Sequence, residues 1–412
     1  MRITSIEDMH ADGGWRVVSF LKISTDVGLV GWSEFHEGMA GPGLTNIIRV
    51  LSERIIGEDP RNVGAIGARL YANTRMSEGG ANAQAIAAIE NACLDLKGKA
   101  AGLPVCDLFG GRYRDRLPVY WSHCGTYRIR DAKLFEQENG ISPIRTVEDF
   151  TTLGQEVVQR GFKAMKTNLV MFDGPAPAQY RPGFTGGPGA PELNISPRLI
   201  KGIEAQLGAF REGIGADTGL AMDLNFHFKP EGYRKIAKTV EQFDMMWLEL
   251  DTYQPQALAD IRRSTTTPIA SLEVIYNRRY MLPYLLERAV DVAIIDAQWA
   301  GFPEALRMAL LADTFDVNVA AHDAHGYLSA LMGAHLCAAI PNFRIMEYDV
   351  DEVPWMKDFV TYSPEVADGE LIVPTAPGWG ADVVEEAVLA HPPRNIGPAT
   401  WMLDYHRRAG RA

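Results

Sequence analysis

Short apolar runs in this chain end again and again in one chemically useful side chain. GFKAMKTN ends in Lys166 and Asn168, GLAMDLN in Asp223 and Asn225, MMWLELD holds Glu249 and PIASLEV holds Glu273. DVAIIDAQ follows with Asp296, VNVAAHDAHG with His322 and FRIMEYD with Glu347. From Asp223 the steps between them are 26, 24, 23, 26 and 25 residues. Asp223, Glu249 and Glu273 are acids in three consecutive units. A hard divalent cation such as Mg²⁺ prefers such carboxylate oxygens and keeps positions open for water or substrate. Asp296 precedes His322 by one unit. A carboxylate that accepts from one imidazole nitrogen fixes the tautomer and raises basicity at the other. His322 is therefore a candidate general base. Glu347, one unit on, is placed to hydrogen-bond a substrate carboxylate.

These parts fit one reaction class. A cation holds a substrate carboxylate while a positioned base removes the proton on the adjacent carbon. Negative charge then develops on the carboxylate oxygens, where the cation stabilises it. Without that help the carbon acid is far too weak for an imidazole.

The spacing also predicts the scaffold. A step of about 25 residues accommodates a strand, a loop, a helix and a return loop, and eight such units close a parallel barrel of about 250 residues. Side chains at the strand C-termini then converge on one mouth. Residues 117–364 are the expected barrel. Lys166 to Asp223 spans 57 residues, too long for one unit. The excess is Met171 to Pro191, with five Gly and five Pro in 21 residues, a candidate lid over the mouth.

Ahead of the barrel the pattern differs. Arg16 to Glu34 carries two β-rich runs around Thr25-Asp26-Val27-Gly28, a hairpin signal. From about Asn46 to Ala101 the chain reads as helical. Ile86, Ile89, Cys93 and Leu96 mark one face, and Gly102-Leu103-Pro104 stops the helix. Residues 1–116 are thus expected to form an α+β unit.

Composition narrows the function classes. The 412 residues carry 40 Lys and Arg against 52 Asp and Glu, a net charge of −12. That balance argues against nucleic-acid and membrane-surface partners. No run of about 18 apolar residues is present, so no spanning helix is expected. MRITSIEDMH lacks a signal-peptide core, and the four cysteines form no CxxC, which fits a reducing cytoplasm.

The sequence resembles the enolase superfamily, within its mandelate racemase-like subgroup, over nearly its whole length. VGLVGWSE resembles the first hairpin of that group's capping domain. GGANAQAIAAIENACLDLKGKAAGLPVCDLFGGRYRDRLPVY resembles the helix and linker that enter the barrel. GFKAMKTN resembles the second-strand lysine motif, and PGWGADVVEEAV the C-terminal return to the cap. The resemblance implies a modified TIM barrel, (β/α)7β, with an N-terminal α+β cap completed by residues 365–412. It implies Mg²⁺ on Asp223, Glu249 and Glu273, with Asp296 and His322 as the catalytic dyad. It casts Lys166 as a catalytic residue and Glu347 as the electrophile beside the substrate carboxylate. It also implies a small carboxylate substrate and a homo-oligomer.

Departures from the family pattern carry information. Many relatives have Lys-x-Lys on the second strand, but here Asn168 takes the second place and cannot accept a proton. Racemisation wants a base on each face. Dehydration needs one base and one acid: His322 can serve as both, or a separate acid can act, for which His227 is the candidate. His227 lies two residues beyond Asn225, and an extended backbone would put Asp223, Asn225 and His227 on one side. Leu272 precedes Glu273 where many relatives have Gly, and Val274 follows it where Asn is frequent. Relatives close the first cap loop, here Met9 to Trp15, over the substrate. Tyr127, Arg181, Asn168, Asn225 and His227 are the expected substrate contacts, with His123 and Tyr180 beside them. A polar pocket of this kind suits a polyhydroxy acid. The expectation is a dehydratase that converts an aldonate or aldarate to a 2-keto-3-deoxy acid. An epimerase, racemase or cycloisomerase on the same scaffold is the alternative, and a barrel that only binds is the non-enzyme rival.

Overall fold

The structure is a computed structural model that describes residues 1–38, 41, 43–182 and 195–393. Three antiparallel strands open the chain: β1 (Ile3–Asp12), β2 (Val17–Thr25) and β3 (Val30–Phe35). Val30 pairs with Ser24 across the expected turn, where Gly28 has φ +80°. β1 was not expected. Its burial does not alternate, so it carries no two-residue hydrophobic signature. Helices α1 (Leu44–Ser52) and α3 (Gly80–Ala101) pack on this sheet, and α2 (Val63–Thr74) packs on α3. α3 ends at Gly102 in the left-handed conformation, with φ +68°.

The barrel begins with β4 (Arg116–Ser122) and continues through α4 (Tyr127–Arg130), α5 (Ala132–Asn139), α6 (Asp149–Gln159) and β5 (Ala164–Asn168). A short hairpin, β6 (Val170–Met171) and β7 (Ala178–Gln179), precedes α7 (Pro197–Ile214) and β8 (Gly219–Asp223). Regular alternation follows: α8 (Pro230–Val240), β9 (Trp247–Glu249), α9 (Pro255–Arg263), β10 (Ile269–Ser271), α10 (Arg278–Leu286) and β11 (Val292–Ile295). It ends with α11 (Phe302–Thr314), β12 (Asn318–Ala321), α12 (Tyr327–Ala339) and β13 (Phe343–Asp349).

β4, β5 and β8 to β13 are all parallel, and pairing of β13 with β4 closes the ring. The fold is a TIM barrel of the enolase type with an N-terminal antiparallel cap. Two short strands, β14 (Val366–Ala367) and β15 (Glu370–Ile372), add antiparallel pairs outside β4. The last described helix, α13 (Glu385–Ala390), lies against β1, and Asp12 N–H donates to the His391 carbonyl at 2.8 Å. Of the expected C-terminal return, residues 394–412 lie outside the described residues. So do residues 183–191 of the expected lid.

The barrel interior is its own small core. Tyr120, Ala164, Ala221, Trp247, Ala270, Val292, Ile294, Ala320 and Ile345 fill it. Tyr120 and Trp247 meet edge to face at 5.5 Å, and the alanines leave room for them. This plug keeps water from entering below and leaves the strand C-termini as the floor of a mouth.

The cap is fastened to that mouth by polar groups. Asn91 on α3 donates to the Ala297 carbonyl at 2.9 Å and accepts from Phe302 N–H at 2.8 Å. Asp95 accepts from the N–H groups of Trp32 and Trp379, both at 2.9 Å. Gly378 crosses so close that a Cβ there would lie 2.1 Å from the Asp95 Oδ1, and its φ is +73°. Only glycine fits that crossing.

Candidate active site

The mouth is assembled from one or two side chains per strand. Lys166 and Asn168 are two apart on β5 and share a face. The Lys166 Nζ lies 3.1 Å from Glu249 and 2.9 Å from Glu347. Burial alone would push the lysine pKa down. Glu249 and Glu347 outweigh that and hold it well above its ordinary value. Lys166 is therefore a fixed cation.

Asp223 ends β8. Its carboxylate accepts from Asn225 N–H at 2.8 Å and Asn225 Nδ2 at 2.9 Å, and Asn168 Nδ2 is 3.4 Å away. These local bonds turn the chain. Asn225 has φ +42°, and His227 N–H donates to the Leu224 carbonyl at 3.0 Å. The extended path expected from Asp223 to His227 is thus corrected: an aspartate that captures the N–H two residues on makes a turn instead. His227 is nonetheless buried near the rim, where burial first, then Arg181, pushes its pKa down to about 4.

Glu249 ends β9 and accepts from Trp247 Nε1 at 3.0 Å. Glu273 follows β10 across Leu272, whose φ is +97°. That left-handed conformation explains why Gly is at home at this position, and a leucine there stores strain of about 1–3 kcal/mol. Asp223 and Glu249 are buried and Glu273 is half-buried. Burial is the largest cause that raises the pKa of each, and neighbouring carboxylates add to it: Asp251 at Asp223, Asp223 and Glu347 at Glu249, and Asp251, Asp223 and Glu249 at Glu273. Three carboxylates at the ends of successive strands, held among Lys166 and His322 as cations, fit a hard divalent cation.

The tightest group of metal-ligand atoms among the described residues is a different one. Asp296, His322 and His325 have ligand atoms within 4.8 Å of one another. Hydrogen bonds account for that group. Asp296 Oδ2 lies 2.6 Å from His322 Nδ1 and 2.9 Å from His325 Nε2. Its Oδ1 accepts from the N–H groups of Gln298 at 2.6 Å and Trp299 at 2.9 Å. An acid already taking four donors is an orienting group, and two imidazoles are poor partners for Mg²⁺.

His322 follows β12. Its Nε2 points into the mouth, 3.5 Å from Glu273 and 3.9 Å from Glu347. Burial would lower its pKa. Glu273, Glu347 and Asp296 together hold it well above the ordinary value. The Trp299 ring, 4.7 Å away, covers one face.

Glu347 on β13 accepts from Lys166, Ser122 Oγ and Asp323 N–H. Lys166, His322 and His123 overcome burial and keep it ionised. In this arrangement Glu347 is an acceptor surrounded by donors, and Lys166 is the cation presented to the mouth.

Beyond Glu347 the wall becomes aromatic. His123, with φ +47°, stacks on Tyr127 at 4.7 Å, and Tyr127 stacks on Trp15 of the cap at 4.2 Å. Asp349 accepts from His123 at 2.9 Å and from the Tyr127 hydroxyl at 3.2 Å. Met9 to Asp12 of the expected closing loop belong to β1, so the cap loop proper is Gly13 to Arg16. Arg16 pairs with Asp349 and Glu352 and donates to the His325 carbonyl.

Several of these groups were not singled out from the sequence. Asp251 lies two residues past Glu249, buried, accepting from Ser271 Oγ at 3.1 Å, with its pKa pushed up to about 7 by burial and Glu249. Asp349 stands in the same relation to Glu347. Strand alternation would have found both. Arg16 and Glu34 come from the cap, and no local pattern points to them.

Residues 149–387 match the family described as enolase C-terminal domain-like. Residues 9–110 match the N-terminal domain of mandelate racemase and muconate lactonizing enzyme. D-xylonate dehydratase of Haloferax volcanii is 28% identical over 94% of this chain and 88% of its own length. A D-galactonate dehydratase family member of Oceanicola granulosus is 30% identical over 93% of this chain and 94% of its own. A Burkholderia xenovorans structure provisionally named an L-alanine-DL-glutamate epimerase is 41% identical, with a TM-score of 0.93. It covers 98% of this chain and 99% of its own, and is bound to magnesium and fumarate.

Proposed function

The chain belongs to the enolase superfamily, in its mandelate racemase and muconate lactonizing enzyme family, and on that premise we propose that it is a Mg²⁺-dependent dehydratase of a sugar acid. The observation that carries this reading is the single imidazole base opposite an amide. His322 Nδ1 is bonded to Asp296 at 2.6 Å, so its Nε2 is the working atom. Across the mouth Asn168 is tied to Thr126 Oγ1 at 3.1 Å and faces Asp223. An amide takes no proton near neutral pH. One base on one face suits elimination better than racemisation.

Asp223, Glu249 and Glu273 are the residues that would hold Mg²⁺, which supplies stabilisation of the negative charge developing on the substrate carboxylate. Lys166 Nζ orients that carboxylate. Glu347 and Glu249 keep the lysine charged. His322 Nε2 removes the α-proton, and Asp296, Glu273 and Glu347 stabilise the imidazolium that results. The same Nε2–H then protonates the departing β-hydroxyl, which leaves as water. The enol left behind becomes the 2-keto-3-deoxy acid. Asn225, His227, Tyr127 and Arg181 line the polyol. The names of the curated relatives support dehydration, and the relative holding magnesium and fumarate supports a carboxylate substrate beside Mg²⁺.

The name of the Burkholderia relative favours a second reading, epimerisation of a carboxylate substrate. One assay separates the two. Aldonic and aldaric acids are incubated with Mg²⁺ and followed for 2-keto acid. Keto-acid formation is expected. Deuterium uptake from solvent without loss of water would replace dehydration by epimerisation.

A further inference from the structure

Asp296 is held by two imidazoles, and only one of them is the base. His322 Nδ1 lies 2.6 Å and His325 Nε2 2.9 Å from the same oxygen, Oδ2. Burial would raise the Asp296 pKa, but His325 and His322 outweigh it and hold the carboxyl well below the usual carboxylate range. An ionised oxygen only accepts, so each ring presents a proton to it. The two rings stand 5.4 Å apart and at 79° to each other. Trp299 packs on both, 4.7 Å from His322 and 5.4 Å from His325. The other nitrogen of His325, Nδ1, is buried without a hydrogen-bond partner among the described residues. Asp296 is therefore the one hydrogen-bond partner of that ring. With Oδ1 fixed by the N–H groups of Gln298 and Trp299, the His325 bond leaves the carboxylate no freedom to turn away from His322.

His325 is in turn held by the cap. Its carbonyl accepts from the Arg16 guanidinium, and the next N–H, that of Gly326, donates to Glu34 at 2.5 Å. Arg16 ends the loop Gly13 to Arg16, and its side chain is 2% exposed. That loop is itself pinned. Asp12 Oδ1 accepts from Gly14 N–H, and Gly13 N–H donates to the Arg16 carbonyl, both at 2.9 Å. Gly14 has φ +81°, and a Cβ there would lie 2.3 Å from Val353 Cγ1. The Arg16 guanidinium lies 4.0 Å over the Trp15 ring, which stacks on Tyr127. Asp349 and Glu352 balance its charge. The bond to the His325 carbonyl then fixes where cap and barrel meet. A continuous chain runs from the cap loop through Arg16, His325 and Asp296 to His322.

We propose that His325 is a positioning residue for the base and that Arg16 ties it to the cap, so that the cap loop sets the Asp296–His322 pair. This rests on the reading of His322 as the base. A general base works only within hydrogen-bond reach of the proton it takes, and a small misplacement costs rate steeply. His325 takes no proton from the substrate. It acts by keeping Asp296 Oδ2 on His322 Nδ1.

Two readouts separate this role from a merely structural one. The first needs no substrate. The proton on His322 Nδ1, in a 2.6 Å bond to a carboxylate, gives a far-downfield proton NMR signal that His322→Asn removes. In His325→Phe that signal is expected to broaden through exchange with solvent. In His325→Gln, which keeps an N–H donor, it persists. The second readout is kinetic. His325→Phe should lower kcat about ten- to a hundredfold, the usual cost of removing a partner that orients a functional histidine, with KM little changed. His325→Gln recovers part of that loss. Arg16→Lys keeps the charge but not the planar fork, and it too lowers kcat. In a His325→Phe background it adds little, because both residues act through one chain. Thermal melts report folding, and His325→Leu, smaller and equally without a donor, replaces His325→Phe if the larger ring disturbs the packing. An unmoved signal in the folded donorless variant, or a raised KM with kcat kept, overturns the positioning role. Additive losses in the double variant overturn the link to Arg16. Failure of the dehydratase reading shows separately, as an absence of keto acid from sugar acids, while the NMR comparison still stands.

Discussion

Glu34 Oε1 accepts the backbone N–H of Gly326 at 2.5 Å, so a carboxylate on the cap sheet is bonded directly to the loop behind His322. Glu34 Oε2 accepts from Ser329 N–H at 3.0 Å, in the first turn of α12. The first turn of a helix has N–H groups without internal partners, and a carboxylate suits them. Gly326 is pressed against this acid, since a Cβ there would lie 2.7 Å from Glu34 Oε2. The cap thus sets the position of the loop that carries His322 and His325.

Glu34→Ala leaves two buried N–H groups without an acceptor, a loss of about 2 kcal/mol or more. Glu34→Gln keeps one acceptor oxygen and should lose less. Urea midpoints in the order wild type, Gln, Ala are expected, with kcat falling more than KM rises. Equal midpoints in all three proteins would show that the contact does not hold the loop.

Asp296→Asn tests the tautomer. The asparagine oxygen can still accept from Gln298 and Trp299 N–H. Its NH2 then faces His322 Nδ1, which must accept, and the ring proton moves to Nε2. The base is blocked while the fold stays intact. A loss of about a hundredfold or more in turnover is expected, the usual scale of general-base catalysis. His322→Asn should do at least as much. Circular dichroism and turnover measured together check both; full activity in either variant would remove His322 as the base.

Much of this site was legible because strand-end side chains recur at a fixed step. Asp223, Glu249, Glu273, Asp296, His322 and Glu347 are found from that spacing, and the structure brings all six to one mouth. What was not legible has physical causes. β1 lacks alternation because much of it is only partly covered. The path to His227 was misread because Asp223 bonds its own downstream N–H groups, a local choice that strand geometry does not anticipate. Leu272 hides a left-handed backbone behind a side chain that ordinarily avoids one. Arg16 and Glu34 reach the site from over 280 residues away in sequence, so only the folded chain reveals them.

The three strand-end acids Asp223, Glu249 and Glu273 give a prediction with a definite sign. Without a cation, burial first and then Asp251 penalise the charge on Asp223, so Asp223→Asn should raise the stability of the metal-free protein. The same change should remove most of the gain from Mg²⁺, which for the wild type is about 2.7 kcal/mol at a hundredfold excess over Kd. Thermal melts with chelator and with Mg²⁺ measure both terms. A variant that is less stable without metal, or that keeps the full gain, would contradict this assignment.

A last prediction concerns a histidine outside the site. His335 on α12 is fully buried, 5.6 Å from the Trp379 ring. Burial is the main cause that pushes its pKa down to about 4, below the ordinary 6.5. The unfolded chain therefore takes up a proton between those values while the folded chain does not. Its contribution to stability is intact above pH 6.5 and is lost as pH falls toward 4, by up to about 3 kcal/mol. His335→Leu has nothing to protonate there. The difference in unfolding free energy between wild type and His335→Leu should shift in favour of the variant as pH drops through that window. Urea titrations at closely spaced pH values give the slope directly. A difference that stays flat between pH 7 and pH 4 would mean that His335 is charged, or reached by water, in the folded protein.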